Sequence, residues 1–329
     1  MLPGVRDALS GSMDTINLTL DALAGGLESR LAAELGVAPA QVVAGAGSGA
    51  LLQQFLTAHC GPGSSVVHTW PSFELYPLLI GNAGAEPVAV PGGVQDAQDL
   101  AAVAEAVSER TRVLLVCNPN NPTGEVLGTA QLAALLDALP PHVLVLVDEA
   151  YREFADPDTI ADAMALAAVD DRVAVVRTFS KSHGLIGLRV GHLVGAERVV
   201  GPLRRTAPFF RVPTIAQAAA LTALDAGDRM RQQCRELAAE RNRVRAGLIE
   251  LGLDVPPSGG NFLWVRLGSR NQEFVAHLAE HGVAVREIAG AGVRVSTGVP
   301  AANDAVLGAA RGFPGIERRS GALAGEAVR

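Results

Sequence analysis

Lysine occurs once in this chain. The 27 basic residues are 26 arginines and Lys181. Arginine supplies surface charge as well as lysine does. Its guanidinium, however, stays protonated and is no nucleophile, so it cannot form a Schiff base. A lone lysine is therefore either a product of an Ala/Arg/Gly-rich composition or a residue that arginine cannot replace. Its neighbours bear on that choice. In Arg177-Thr-Phe-Ser180-Lys181-Ser-His-Gly-Leu-Ile-Gly-Leu-Arg189-Val-Gly191, the hydroxyls of Thr178 and Ser180 stand close in sequence to Lys181 and Arg189. Two hydroxyls and a guanidinium make a candidate phosphate cup. Gly184 and Gly187 allow tight backbone turns between them. For Arg189 the alternative is a plain surface charge.

Three further segments carry chemistry-bearing residues. Asn118-Pro-Asn-Asn121-Pro-Thr-Gly124 follows an apolar run. It is either a rigid loop at the carboxyl end of a strand, where ligands bind in open α/β sheets, or an ordinary turn. Val145-Leu-Val-Asp148-Glu-Ala-Tyr151 closes an apolar strand with a carboxylate. Such a carboxylate is expensive to bury unless it meets a cation or a protonated base, though Asp148 can equally cap a helix. Tyr151, three residues on, can face the same pocket. Ala44-Gly-Ala-Gly47-Ser48-Gly49 opens a helical stretch, and free amides there suit an anion. It is a weak match to a dinucleotide loop, but the carboxylate that such a site needs about 20 residues later is missing. A P-loop is excluded, because the only lysine lies elsewhere.

Together these segments hold a Schiff-base lysine, a carboxylate for a pyridinium nitrogen, phosphate ligands, and hydroxyl and amide donors for a ring oxygen. Phe73 supplies an aromatic face to stack on the ring. That set is what pyridoxal phosphate requires.

The elements that must position them are legible in outline. Apolar, β-branched runs predict buried strands over 65–69, 113–117, 143–148, 173–178 and 191–194. Helical patterns over 48–59, 100–108 and 129–139 fall between them. The alternation implies an α/β fold with a mostly parallel sheet covered by helices on both faces. A long charged helix is expected over 228–251, with Met230, Cys234, Leu237, Val244 and Leu248 near helical spacing. Shorter strands over 262–267, 283–286 and 293–296 surround a helix near 271–280, a smaller α+β unit. The expected organisation is a short N-terminal segment (1–30), a large domain (31–225), a small domain (226–314) and a flexible tail (315–329).

Bulk composition narrows the class. The chain has 329 residues, comfortable for two domains, with 49% hydrophobic and 19% charged residues, so it folds. A net charge of −7 argues against a nucleic-acid partner. Cys60, Cys117 and Cys234 lie far apart, and the histidines have no ligand spacing, so no metal site and no disulfide framework is expected. No apolar run reaches the ~18 residues of a membrane span. The first ten residues lack the apolar core of a signal peptide. A cytoplasmic location is the expectation.

At this point the sequence resembles a known family: the class I/II pyridoxal-phosphate aminotransferases of fold type I. The branch it looks most like is that of the histidinol-phosphate and aromatic amino acid aminotransferases. The strings that carry the resemblance are NPNNPTG at 118–124, DEAYREF at 148–154, TFSKSHGLIGLRVG at 178–191 and GVRVSTG at 292–298. It extends from about residue 27 to about residue 310 and implies a seven-stranded sheet. It also implies that Lys181 forms the Schiff base, that Asp148 pairs with the pyridinium, and that Asn121 and Tyr151 donate to the ring hydroxyl. Thr178, Ser180 and Arg189 would hold the phosphate beside the amides of Gly47, Ser48 and Gly49, with Phe73 stacked on the ring. Arg294 would clamp the substrate carboxylate. Arg286 falls where histidinol-phosphate enzymes place a second arginine for a substrate phosphate. The implied activity is transfer of an amino group between an L-amino acid and a 2-oxo acid in amino acid biosynthesis, by a homodimer. A pyridoxal-phosphate decarboxylase of O-phospho amino acids, or an aminotransferase for an unusual amino acid, is the alternative. The chain departs from the pattern at Gly49-Ala50, where the family usually has Asp-Glu, and at Pro213. It departs again near Thr19, where an N-terminal tyrosine is usual.

Overall fold

The computed structural model describes residues 1–18, 21–93, 97–288 and 290–315. Thr19 and the tail beyond Gly315 lie outside the described residues.

Seven strands form the main sheet: β1 (Val42–Gly45), β2 (Ser65–Trp70), β3 (Glu86–Pro91), β4 (Thr111–Cys117), β5 (Leu144–Asp148), β6 (Val173–Thr178) and β7 (Gly191–Gly195). Their spatial order is β1-β7-β6-β5-β4-β2-β3. All neighbours from β6 to β3 run parallel, while β7 is antiparallel to both β6 and β1. The central strands are apolar over their middles because both faces are covered. Along β4 and β5, Val113, Leu115, Cys117 and Leu146 enter one core, while Leu114, Val116, Val145 and Val147 enter the other. Helices Ser48–His59 and Glu197–Thr206 fill the first with Leu51, Leu52, Phe55, Leu56, Val199 and Leu203. Helix Thr129–Ala138 fills the second with Leu132, Leu135 and Leu136.

Two strands, β1 and β3, go beyond those expected from periodicity. β1 has four residues and runs directly into the glycine loop, so its apolar run is too short to show a period. β3 is an edge strand that carries Pro87 and Pro91 and is largely exposed. Proline demotes such a run on sequence grounds and is tolerated only at an edge.

A second, antiparallel sheet of β8 (Phe262–Val265), β9 (Arg286–Ile288) and β10 (Gly292–Ser296) has the order β8-β10-β9. β9 begins only at Arg286, the last residue of the run expected at 283–286, because pairing with β10 sets its register. The helices Gly227–Glu250, Asn271–Glu280 and Pro300–Arg311 cover this sheet through Val244, Leu248, Phe274, Leu278 and Val306. Arg241 of the long helix is buried and donates to the carbonyls of Phe154 (3.2 Å) and Gly260 (2.8 Å), tying the two sheets' loops together. The helix Gly25–Leu35 crosses the boundary expected between residues 30 and 31.

Candidate active site

Sheet register gathers the chemistry. Cys117 at the end of β4 lies opposite Asp148 at the end of β5. Thr178, ending β6, lies opposite Gly191, which begins the reversed strand β7, and Gly191 lies opposite Gly45, which ends β1. The loops leaving β1, β4, β5 and β6 and the loop entering β7 therefore meet at one edge of the sheet, where open α/β folds bind ligands.

A cleft of about 270 Å³ opens there. Its walls include Ser48, Gly49, Phe73, Asn121, Asp148, Tyr151, Thr178, Ser180, Lys181 and Arg189, all of them expected from the sequence. The lone lysine and one of the chain's two tyrosines thus share one cleft. Gly47 caps the helix Ser48–His59 with φ +86°, and a Cβ there would strike the Arg189 guanidinium. Arg189 itself sits in the left-handed region at φ +54°. Its Nη1 donates to Ser180 Oγ (3.2 Å) and to the carbonyl of Ile186 (3.0 Å). The Ser180 amide donates to Thr178 Oγ1 (3.1 Å). A guanidinium, two hydroxyls and the amides of a helix N-terminus converge, a donor set that suits a phosphate group.

Asp148 is buried at the cleft floor. Its Oδ2 accepts from Tyr76 Oη (3.1 Å) and its Oδ1 from the Ala150 amide (3.1 Å). Burial pushes its pKa up to about 6, against the two hydrogen bonds and the charge of Lys181, which pull it down. A cationic ring nitrogen beside it would favour the charged carboxylate.

The asparagines of the 118–124 loop divide their work. Asn118 exchanges hydrogen bonds with Leu127 (3.0 and 2.9 Å). Asn120 donates to the Pro71 carbonyl (3.0 Å) and Thr123 (2.9 Å) and accepts from Ser72 (2.8 Å). Both brace the backbone, which leaves Asn121 facing the cleft.

Arg294, from the middle of β10, reaches across from the second sheet. Its Nη2 donates to Tyr151 Oη (3.1 Å), and its guanidinium lies 4.1 Å from the Phe262 ring centre. Its Nε is buried without a hydrogen-bond partner, so the group has capacity for an anion. Lys181 Nζ lies 5.2 Å from the centre of the same Tyr151 ring. Arg286 is exposed and ion-paired: its Nη2 is 2.8 Å from Glu74 Oε2.

Sequence reasoning missed several partners. Tyr76 was visible as one of only two tyrosines, in the same short segment as Phe73, but its contact with Asp148 spans 72 positions. Its ring meets Phe73 edge-on at 5.4 Å. Glu149, beside Asp148, is buried between Arg177 (2.8 Å) and Arg152 (3.0 Å) and fastens the loop after β5 onto β6.

Comparison with known proteins agrees with this geometry. The family model "Aminotransferase class I and II" matches residues 2–308. An aromatic amino acid aminotransferase of Thermobifida fusca is 46% identical over 313 residues, 95% of this chain and 87% of that protein. One of Streptomyces avermitilis is 44% identical over 306 residues, 93% of this chain and 85% of that protein. Among solved structures, histidinol-phosphate aminotransferase from Sinorhizobium meliloti in complex with pyridoxal-5'-phosphate superposes with a TM-score of 0.87 at 27% identity, covering 94% of this chain and 86% of that one.

Proposed function

The chain belongs to the class I and II aminotransferases, is an amino acid aminotransferase with their fold type I architecture, and on that premise we propose an aromatic L-amino acid as its donor and pyridoxal 5'-phosphate as its cofactor. The observation that carries the cofactor is the convergence, in one cleft, of the only lysine with a buried carboxylate and a guanidinium–hydroxyl–amide cup. The cup takes the phosphate, Asp148 the ring nitrogen, Asn121 and Tyr151 the ring hydroxyl, and Phe73 a ring face. When bound, this cofactor supplies an electron-poor ring that stabilises the carbanion left when an α-proton departs.

The protein's own groups do the rest. Arg294 orients the donor by its α-carboxylate through a two-pronged contact. The Lys181 amine would take the proton from the donor's α-carbon, hold it as an ammonium, and return it to the carbon that joins donor nitrogen and cofactor, as shuttle base. A cation facing Asp148 favours the charged form that burial disfavours, which couples its ionisation to occupancy of the site. The aromatic donor is supported by the names of the close relatives and by the apolar rim of the cleft, where Leu75 and Ile186 line the wall.

We read the assembly as a homodimer, because Phe209 and Phe210 are exposed side by side, and the compartment as the cytoplasm, which suits three free cysteines. The division into a cofactor domain and a small domain is supported by the break between the helices Thr214–Asp225 and Gly227–Glu250. A first boundary ahead of Gly25 would keep the helix Gly25–Leu35 whole.

The test uses the cofactor-loaded protein and a panel of amino donors, read by the change in the cofactor's visible absorbance. Phenylalanine and tyrosine are expected to react, and Lys181→Ala and Lys181→Arg to abolish both the change and turnover. Turnover retained by either variant would refute the lysine's role. Reaction with histidinol phosphate in preference to phenylalanine would refute the aromatic donor.

A further inference from the structure

β9 and β10 place two arginines side by side. Arg286 and Arg294 are direct partners in the antiparallel ladder, so they project from the same face of the small sheet. Their surroundings differ. Arg294 rests against Tyr151 and Phe262 and keeps a buried, unpartnered Nε. Arg286 is bonded at 2.8 Å to Glu74. Glu74 stands between Phe73 and Leu75, both of which line the cleft, so this ion pair joins a segment of the cleft wall to the strand beside Arg294.

We propose that Glu74 is a charge filter that sets the side-chain specificity of the site. The inference rests on the reading of Arg294 as the α-carboxylate ligand. With Glu74 in place, only one arginine of the two has charge to offer an incoming acid. A substrate with one carboxylate and an uncharged side chain uses Arg294 and leaves the Glu74–Arg286 pair intact. A substrate with a second anionic group meets an arginine already engaged and a carboxylate of its own sign. The pair is solvent-accessible, with side-chain exposures of 33% for Glu74 and 66% for Arg286, so it braces the fold little. Its effect is felt through the charge it places beside the cleft wall. Removing one unit charge several ångströms from a bound anion in a partly screened site changes affinity on the order of tenfold.

The experiment measures binding of two unreactive acids to the cofactor-loaded protein by calorimetry. 3-Phenylpropionate carries one carboxylate and an aromatic tail, and glutarate carries two carboxylates. The quantity read is the ratio of their dissociation constants. Glu74→Gln is expected to shift that ratio toward glutarate by about tenfold. Combining it with Arg286→Gln is expected to erase the shift, because the freed arginine is what the second carboxylate gains. An unchanged ratio in Glu74→Gln, or a shift that persists in the double variant, overturns the filter. Failure of the unaltered protein to bind 3-phenylpropionate would overturn the role of Arg294 and the filter with it. Binding of 3-phenylpropionate with an unmoved ratio overturns the filter alone.

Discussion

Asp148 is a carboxylate held where water does not reach. Burial raises its pKa to about 6, from an ordinary 3.8, even with the charge of Lys181 pulling the other way. The sign of the consequence follows from linkage. A carboxyl whose folded pKa is raised keeps its proton in the native state after the unfolded chain has released it. Its contribution to stability is intact below about pH 4, declines as pH rises through 6, and is level above. A shift of about two units corresponds to a total of about 3 kcal/mol. Asparagine at this position has no charge to bury. In cofactor-free protein, the stability of Asp148→Asn relative to the unaltered chain is therefore expected to rise by about that amount between pH 4 and pH 7.5, as measured by urea unfolding. A difference that does not vary with pH would sink this account of the site. The rare residue types made this scale readable in advance: one lysine and two tyrosines are few enough to be asked what each does. Their partners were not readable, because a contact such as Tyr76–Asp148 exists only once β2 and β5 share a sheet.

Elements matter through how closely they approach. The reversed strand β7 starts at Gly191, where an added Cβ would meet the Arg177 carbonyl at 2.8 Å and the Ser48 nitrogen at 2.9 Å. All of these are backbone atoms that cannot swing aside. Glycine here lets β6, β7 and the mouth of the helix Ser48–His59 close around one small volume, and that volume is the cup. Gly191→Ala is expected to push β7 away from the helix mouth, destabilising the fold by about 1–3 kcal/mol and weakening cofactor retention at least tenfold. Thermal melts with and without cofactor measure both effects, and unimpaired retention would show that the approach is not needed. The central strands could be read from their continuous apolar runs. β1 and β3 could not: one is too short, and the other carries prolines that only an edge position tolerates. The link through Arg241 is of the same kind. Nothing in the charged pattern of a long helix marks which arginine turns inward to bind the carbonyls of Phe154 and Gly260.

At the scale of the whole molecule, the surface is uneven. Phe209 is 73% exposed and Phe210 59% exposed, and Phe210 stands in the left-handed region at φ +60°, which a bulky residue seldom adopts. The surrounding structure holds it there. The Phe210 amide donates to the Ala22 carbonyl (2.9 Å). Next to it the Arg211 guanidinium binds buried Glu28 (2.6 Å) and the carbonyls of Ala44 and Leu23 (2.7 Å each). A conformation that costs energy and directs two aromatic rings outward makes physical sense if something covers them, since burying each ring is worth about 1.5–3 kcal/mol. Leu23 lies beside them and is also exposed, as are Leu75 and Ile186 on the rim of the cleft. A second copy of the chain seated on Phe209 and Phe210 would cover them, and one that also reached Leu75 and Ile186 would complete the rim. Light scattering after size exclusion is expected to give twice the chain mass for the unaltered protein. Replacing Phe209 and Phe210 together by serine is expected to shift it toward the monomer, with a loss of turnover if the rim is shared. A monomer at micromolar concentration, or a double variant that stays dimeric and fully active, would remove these two rings from the interface.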